Sequence, residues 1–173
     1  VAPWGRSFDE YRRMFGLTDT DLRSRILACA DGPASFNAEL TAAGGTVTSF
    51  DPLYHFSGKE IRQRIDDTSG EIIEQTRKNI GEFVWSDRLP DVDALARLRV
   101  TTTEQFLGDY DVGLEEGRYI AAELPDLPFG SNSFDLAVCS HFLFLYSEQL
   151  SLQFHMDSIH SLIQVAREVR IFP

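Results

Sequence analysis

The chain has 173 residues, of which 43% are hydrophobic and 12% aromatic, and its net charge is −11. This composition predicts one globular domain, and the acidic charge disfavours DNA or bulk RNA as a partner, because binding their phosphates requires Lys and Arg. The chain has no apolar run of about 18 residues that could span a membrane and no start typical of a signal peptide. Cys29 and Cys139 lie in apolar runs typical of reduced thiols, so we expect a cytoplasmic protein that binds no membrane.

Two short helices are predicted before the first strand. Ser7 and Glu10 have the spacing of a capping box, which predicts a helix through Tyr11 and Phe15. Residues 17–25 have the pattern of a second short helix. We expect these helices to cover one end of a sheet or the mouth of a site.

The next segment predicts a βαβ unit. Residues 26–29 form a continuous apolar run, which favours a central parallel strand covered on both faces. The Asp-Gly-Pro at 31–33 ends that strand, and Ser35 is placed to cap a helix that the glycines at 44–45 terminate. The β-branched residues in 46–50 predict a second strand. Asp51 then lies at the carboxyl end of that strand.

This position matters because open α/β sheets bind ligands beyond the carboxyl ends of their strands. Gly32 lets a ligand approach the backbone, and Asp51 follows at about the spacing at which an acid contacts ribose hydroxyls. The spaced glycines of a nicotinamide-binding loop are absent, since Ala30 and Ala34 occupy those positions. The turn by itself therefore does not separate a nucleotide site from an ordinary turn.

Residues from about 53 to 118 predict a helical insert within a single domain that spans residues 1–173. Apolar residues recur at helical spacing, for example at Ile61 and Ile65 and again at Leu95, Leu98 and Phe106. We interpret the insert as a cap over the carboxyl edge of the sheet. The alternative is a purely structural addition.

The remaining residues predict three strands and a helix. A short strand at 119–122 is followed by Glu123 and by a loop with turn residues. The apolar run at 134–139 predicts a strand with Ser140 and His141 at its carboxyl end. A helix starting at Ser151 leads into a fifth strand at 168–172.

Several of these segments together resemble the class I S-adenosylmethionine-dependent methyltransferases. The sequence ILACADGPA at 26–34 resembles the first motif of that family, and Asp51 and Glu123 match the acids after its second and third strands. Leu-Pro-Phe at 127–129 and Ser-Phe-Asp-Leu at 133–136 match its fourth-strand region. The resemblance covers residues 25–52 and 119–173 and leaves out the insert.

The resemblance implies an α/β fold with a Rossmann-like, doubly wound, mostly parallel sheet. The family continues past the fifth strand into an antiparallel hairpin, for which we expect no counterpart within residues 1–173. Three alanines also depart from the family pattern. Ala28 replaces an acid that orients the methionine part of the cofactor, and Ala30 and Ala34 replace glycines. Asp31 is the residue that we expect to supply the missing carboxylate.

The resemblance also implies a set of site residues and a cofactor, S-adenosylmethionine, with no metal. The turn at 31–34 would hold the methionine end, Asp51 the ribose hydroxyls and Glu123 the adenine amino group. His141 lies where substrate-facing groups occur and is the candidate general base. The implied cofactor-binding residues are Ala30, Asp31, Gly32, Asp51, Glu123, Leu124 and Ser140.

The favoured function is therefore methyl transfer from S-adenosylmethionine to a small molecule that the sequence does not name. The alternative is a binding module of the same fold without catalysis, motivated by the three alanines. A nicotinamide oxidoreductase is a distant third, because the segments at 127–129 and 133–136 have no role in it. The sequence leaves the oligomeric state open.

Overall fold

A computed structural model describes residues 4–82 and 85–172 of the chain. The α-helices are α1 (Phe8–Met14), α2 (Phe36–Ala42), α3 (Gly58–Lys78), α4 (Val92–Glu115) and α5 (Leu152–Val165). The strands are β1 (Arg25–Cys29), β2 (Thr46–Phe50), β3 (Tyr119–Ile120), β4 (Phe134–Ser140) and β5 (Ala166–Phe172). Short 3₁₀ helices cover Asp21–Arg23, Pro52–His55 and Ile80–Glu82.

Within the described residues, the strands form one sheet in the order β3-β2-β1-β4-β5, and every neighbouring pair is parallel. The strand order reverses between β1 and β4, and such a switch point is where open α/β sheets bind ligands. The predicted α/β, Rossmann-like, doubly wound fold is confirmed.

The sheet has an apolar core on each face. Ile26 and Ala28 of β1 pack on one face with α1 and α2, whereas Leu27 and Cys29 pack on the other face with α5. All four side chains are fully buried, which is why this strand has no alternation of polar and apolar residues.

The local signals at the helix ends were right in most cases. Ser7 and Glu10 form the predicted capping box of α1, and the Ser151 side chain caps α5. Ser35 occupies the N-cap of α2 but makes no capping hydrogen bond, because its hydroxyl donates to Glu39 at 2.5 Å instead. The second N-terminal helix is only the single 3₁₀ turn at Asp21–Arg23.

The insert forms the helical hairpin of α3 and α4, which packs at the β3 edge of the sheet. Its core contains Tyr54, Ile61, Phe106, Tyr110 and Tyr119, and α4 also packs along α2. None of the helices in the described part of the chain has the length and apolarity required to cross a membrane.

Candidate functional site

Two cavities lie side by side at the carboxyl ends of β1, β2 and β4. Cavity A, of about 280 Å³, is lined by Trp4, Arg6, Tyr11, Ala30, Asp31, Gly32, Pro33, Asp51, Leu53, Ser140, His141, Leu145 and Tyr146. Cavity B, of about 390 Å³, is lined by Ala30, Phe50, Asp51, Pro52, Glu123, Leu124, His141, Phe142, Leu150 and Phe154. The two cavities share Ala30, Asp51 and His141 as a common wall.

Each residue that the sequence assigned to the site lines at least one of these cavities. Asp31, Gly32 and Ser140 belong to cavity A, and Glu123 and Leu124 belong to cavity B. The remaining three residues form the common wall. Residues from four separate parts of the chain, at 30–32, 51, 123–124 and 140–141, therefore meet at the switch point of the sheet.

The turn after β1 has an unusual backbone at the common wall. Ala30 and Gly32 both have left-handed backbones, with φ angles of 52° and 53°. This conformation is unfavourable for alanine by roughly 1–2 kcal/mol. It explains why the methyltransferases that the sequence resembles have glycine at the position of Ala30. His141 has the same strain, with φ of 53°. Strained residues of this kind cluster at functional sites.

Asp51 supports this turn from β2. Its Oδ2 atom accepts the Gly32 N–H at 3.0 Å, and its Oδ1 atom accepts the Leu53 N–H at 2.7 Å. The Gly32 N–H is thus directed to Asp51. Burial raises the pKa of Asp51, although these two N–H groups oppose the effect.

Asp31 forms the buried floor of cavity A. Its carboxylate accepts hydrogen bonds from the Tyr11 hydroxyl and from the Ser49 hydroxyl, and the residue is 5% exposed. Burial raises the pKa of Asp31 to about 7, because the two hydroxyl donors do not replace all the lost hydration. This side chain can therefore change its charge near neutral pH.

The three alanines of the first motif have different surroundings. Ala28 and Ala34 are completely buried in the core on the α1 and α2 face, and neither lines cavity A or cavity B. Only Ala30 places its methyl group at the common wall. Two of the three departures from the family pattern are therefore packing residues.

Cavity B is more apolar than cavity A. Leu124 is buried, and the rings of Phe142 and Phe154 contact each other edge-on at the cavity wall, with centroids 6.1 Å apart. Glu123 is an exposed acid at this cavity. The combination of apolar walls and the Glu123 acceptor suits an aromatic ring with an exocyclic amino group.

His141 is neutral at pH 7. Burial, together with the positive charges of Arg6 and Arg99, lowers the pKa of its imidazole to about 4. Its Nδ1 atom lies 2.9 Å from the Ser140 hydroxyl, and its backbone N–H donates to Phe172. A base with this pKa holds a proton weakly, so its main contribution in this state is a polar contact.

Sequence reasoning missed the contribution of the N-terminal segment. Trp4, Arg6 and Tyr11 all line cavity A. The segment lies directly against the turn, since a Cβ atom at Gly5 would be 2.0 Å from the Pro33 carbonyl oxygen. The capping box predicted the helix but carried no information about where it docks.

Two arginines near cavity A share one carboxylate. Arg99 makes a bidentate pair with Glu10, with N–O distances of 2.7 and 2.5 Å, and the Arg6 guanidinium is 3.6 Å from the same carboxylate. Glu10 is therefore committed to Arg99. The Arg6 charge is only partly compensated, and it lies on the wall of cavity A.

The insert does not form the expected cap over the site. Of residues 53–118 that the structure describes, only Leu53 lines cavity A and none lines cavity B. The physical reason is that the apolar faces of α3 and α4 pack against each other and against Tyr119 at the β3 edge. Among the described residues there is also no group of His, Cys, Asp and Glu side chains suited to a metal ion.

Comparison with known proteins identifies one relative. The chain is 34% identical over 172 residues to the uncharacterized protein MJ0045 of Methanocaldococcus jannaschii, and the match covers 98% of this chain and 76% of the relative. No family model matches the chain. No solved structure matches it either.

Proposed function

Since the chain belongs to the family of the uncharacterized protein MJ0045, we propose a function from its own site: S-adenosylmethionine binding and methyl transfer to a small molecule. One observation carries the proposal. The eight residues chosen from the sequence resemblance all line two adjoining cavities at the switch point of the sheet. Parallel pairing alone brings residues that follow the strands to this edge, so the convergence supports a ligand site, and the matched motifs at 26–34, 127–129 and 133–136 point to this cofactor.

The adenosine part of the cofactor suits cavity B and the common wall. In the proposal, Leu124, Phe142 and Phe154 pack against the adenine ring, and Glu123 accepts from its amino group. Asp51 lies between the cavities, where the ribose would connect adenine to methionine. Its two oxygens each accept one backbone N–H, so each keeps a lone pair for a ribose hydroxyl.

The methionine part suits cavity A, where opposite charges are available. Arg6 has only the shared, 3.6 Å contact with Glu10, so it can pair with the methionine carboxylate. Asp31 can accept from the ammonium group, and that contact would favour its ionised form. Asp31 thus takes the role of the acid that the methyltransferases have at the position of Ala28.

When bound, S-adenosylmethionine supplies an activated methyl group on a sulfonium centre. The protein contributes alignment and exclusion of water. Ala30 and His141 form part of the common wall, and the neutral imidazole of His141 faces the methyl acceptor, which would lie in cavity A. His141 remains the proposed general base. Its low pKa makes the imidazole a weak base, which suits only a methyl acceptor that loses its proton easily.

A binding module without catalysis is the second candidate, and the low pKa of His141 favours it. A chain of this kind would bind the cofactor at the same residues but transfer no methyl group. We further propose a cytoplasmic location, in keeping with the free thiols of Cys29 and Cys139, with a small-molecule partner and no nucleic acid or membrane.

Calorimetry with S-adenosylhomocysteine tests the proposal. We expect the wild-type chain to bind, and we expect Asp51→Ala to weaken the affinity at least about tenfold, because it removes a charged acceptor from the ribose. Asp126→Ala is the control, since Asp126 is exposed and lines neither cavity. Thermal unfolding checks that the Asp51 variant is folded, because Asp51 also holds the Gly32 turn.

Absence of binding by the folded wild-type chain would rule out both candidates. Binding that is equally strong in Asp51→Ala would show that the ribose assignment is wrong. If binding is seen, a methyl-transfer screen with labelled cofactor and small-molecule acceptors separates the enzyme from the binding module.

A further inference from the structure

A third cavity lies in the helical hairpin, away from the common wall. Cavity C, of about 330 Å³, is a cleft between α3 and α4 whose apolar lining includes Trp4, Ile65, Ile73, Ala96 and Val100. Its volume lies in the range of small-molecule sites. Trp4 also lines cavity A, so the two cavities share this residue.

The charged residues around cavity C already have partners. Arg62 pairs with Glu104 at 2.8 Å and also interacts with Asp66. Glu74 is 3.8 Å from Lys78, and Arg99 is held by Glu10. Each charged residue that lines the cleft thus has an oppositely charged neighbour among the described residues. The lining therefore favours an uncharged molecule that buries apolar surface.

Gly70 is a position from which the cleft can be filled. It lies in the middle of α3 and lines cavity C, and a Cβ atom there would meet no atom within 4 Å. Glycine lowers helix stability relative to alanine, and packing within the described residues does not require it at this position. A larger side chain at this exposed position therefore has room to extend over the cleft between α3 and α4.

We propose that cavity C is a second small-molecule site, which binds an uncharged, mainly apolar molecule about as large as a substituted naphthalene. The ligand lies between Ile65 and Ile73 of α3 and Ala96 of α4, with the Trp4 indole at one end. This site is separate from the proposed cofactor pocket and does not depend on methyl transfer.

Fluorescence titration with Prodan tests the site, because this uncharged naphthalene ketone emits strongly and at shorter wavelength in an apolar cavity. We expect saturable binding of one molecule per chain, and at least tenfold weaker binding of the anionic naphthalene sulfonate ANS. Gly70→Phe and Ala96→Phe fill the cleft from opposite helices, and each should weaken Prodan binding at least tenfold.

Gly108→Phe is the matched control, since Gly108 is also an exposed glycine within a long helix but lies outside cavity C. Circular dichroism verifies that all three variants are folded, and saturating S-adenosylhomocysteine should leave Prodan bound. The proposal is overturned if Prodan does not bind, if both filling variants bind it as wild type does, or if S-adenosylhomocysteine displaces it. Equal affinity for ANS would overturn the uncharged assignment.

Discussion

Asp31 is the residue whose charge depends most directly on its place in the fold. In the unfolded chain it is an ordinary aspartate with a pKa near 3.8, and in the fold burial raises that pKa to about 7. Tyr11 and Ser49, which donate to it, come from α1 and β2. The folded protein therefore retains a proton at a pH where the unfolded chain has lost it.

The consequence is a pH-dependent stability. Between about pH 4 and pH 7 the proton on Asp31 favours the folded state, so stability should fall as pH rises, by up to roughly 1.4 kcal/mol per unit. Asp31→Asn cannot ionise and should lack this component. Urea unfolding of both proteins at several pH values measures the difference, and an equal pH dependence would show that Asp31 ionises normally in the fold.

At the scale of elements, α4 is held against the sheet by close contact with Tyr119. A Cβ atom at Gly113 would lie 2.3 Å from the Tyr119 ring. The ring cannot move away easily, because its hydroxyl donates to Asp109 of the same helix at 2.9 Å. Packing thus requires glycine at position 113. Gly108 of the same helix is exposed, and a Cβ atom there would meet no atom within 4 Å.

These two glycines of α4 should respond oppositely to alanine. Gly113→Ala should lower the free energy of unfolding by about 1–3 kcal/mol through overpacking. Gly108→Ala should raise it by about 0.5–1 kcal/mol, because alanine is the better helix former. Denaturant unfolding measures both changes. A stabilising Gly113→Ala would mean that α4 does not pack on β3 as described.

At the scale of the whole molecule, one buried ion pair connects the insert to the N-terminal segment. Arg99 of α4 is 6% exposed and Glu10 of α1 is 14% exposed. Burial alone would raise the pKa of Glu10, but the hydrogen bonds and charge of Arg99 lower it to about 2. This pair joins parts of the chain that are 89 residues apart.

Removing the charge of Glu10 should therefore be costly. Glu10→Gln preserves the capping box of α1 but leaves Arg99 buried without its counter-ion, and we expect a loss of about 3 kcal/mol. Glu104→Gln breaks the Arg62 pair, whose side chains are 44% and 57% exposed, and should cost less than about 1 kcal/mol. Urea unfolding compares the two variants, and equal losses would contradict the buried link.

The net charge of −11 also belongs to the whole molecule. We expect no measurable binding to duplex DNA or to structured RNA at about 150 mM salt, because affinity for phosphates depends on basic side chains. Fluorescence anisotropy with labelled oligonucleotides measures it. Tight binding that weakens steeply with salt would contradict the expectation.

Much of the site could be predicted from the sequence because its residues directly follow strands. Asp51, Glu123 and His141 each come directly after an apolar or β-branched run, and parallel strands bring their carboxyl ends to one edge. The N-terminal residues Arg6 and Tyr11 could not be assigned in this way. Their positions depend on how α1 docks on α2, which is set by packing between distant segments.

The sequence by itself determined the order of the elements and the burial of β1, because both follow from local patterns. The resemblance selected eight residues that parallel pairing brings to the switch point. Only the tertiary structure decided that Ala28 and Ala34 lie in the core, that Asp31 is buried beside Tyr11, and that the insert packs at the β3 edge. Burial and charge compensation depend on neighbours from other parts of the chain, and no local pattern contains that information.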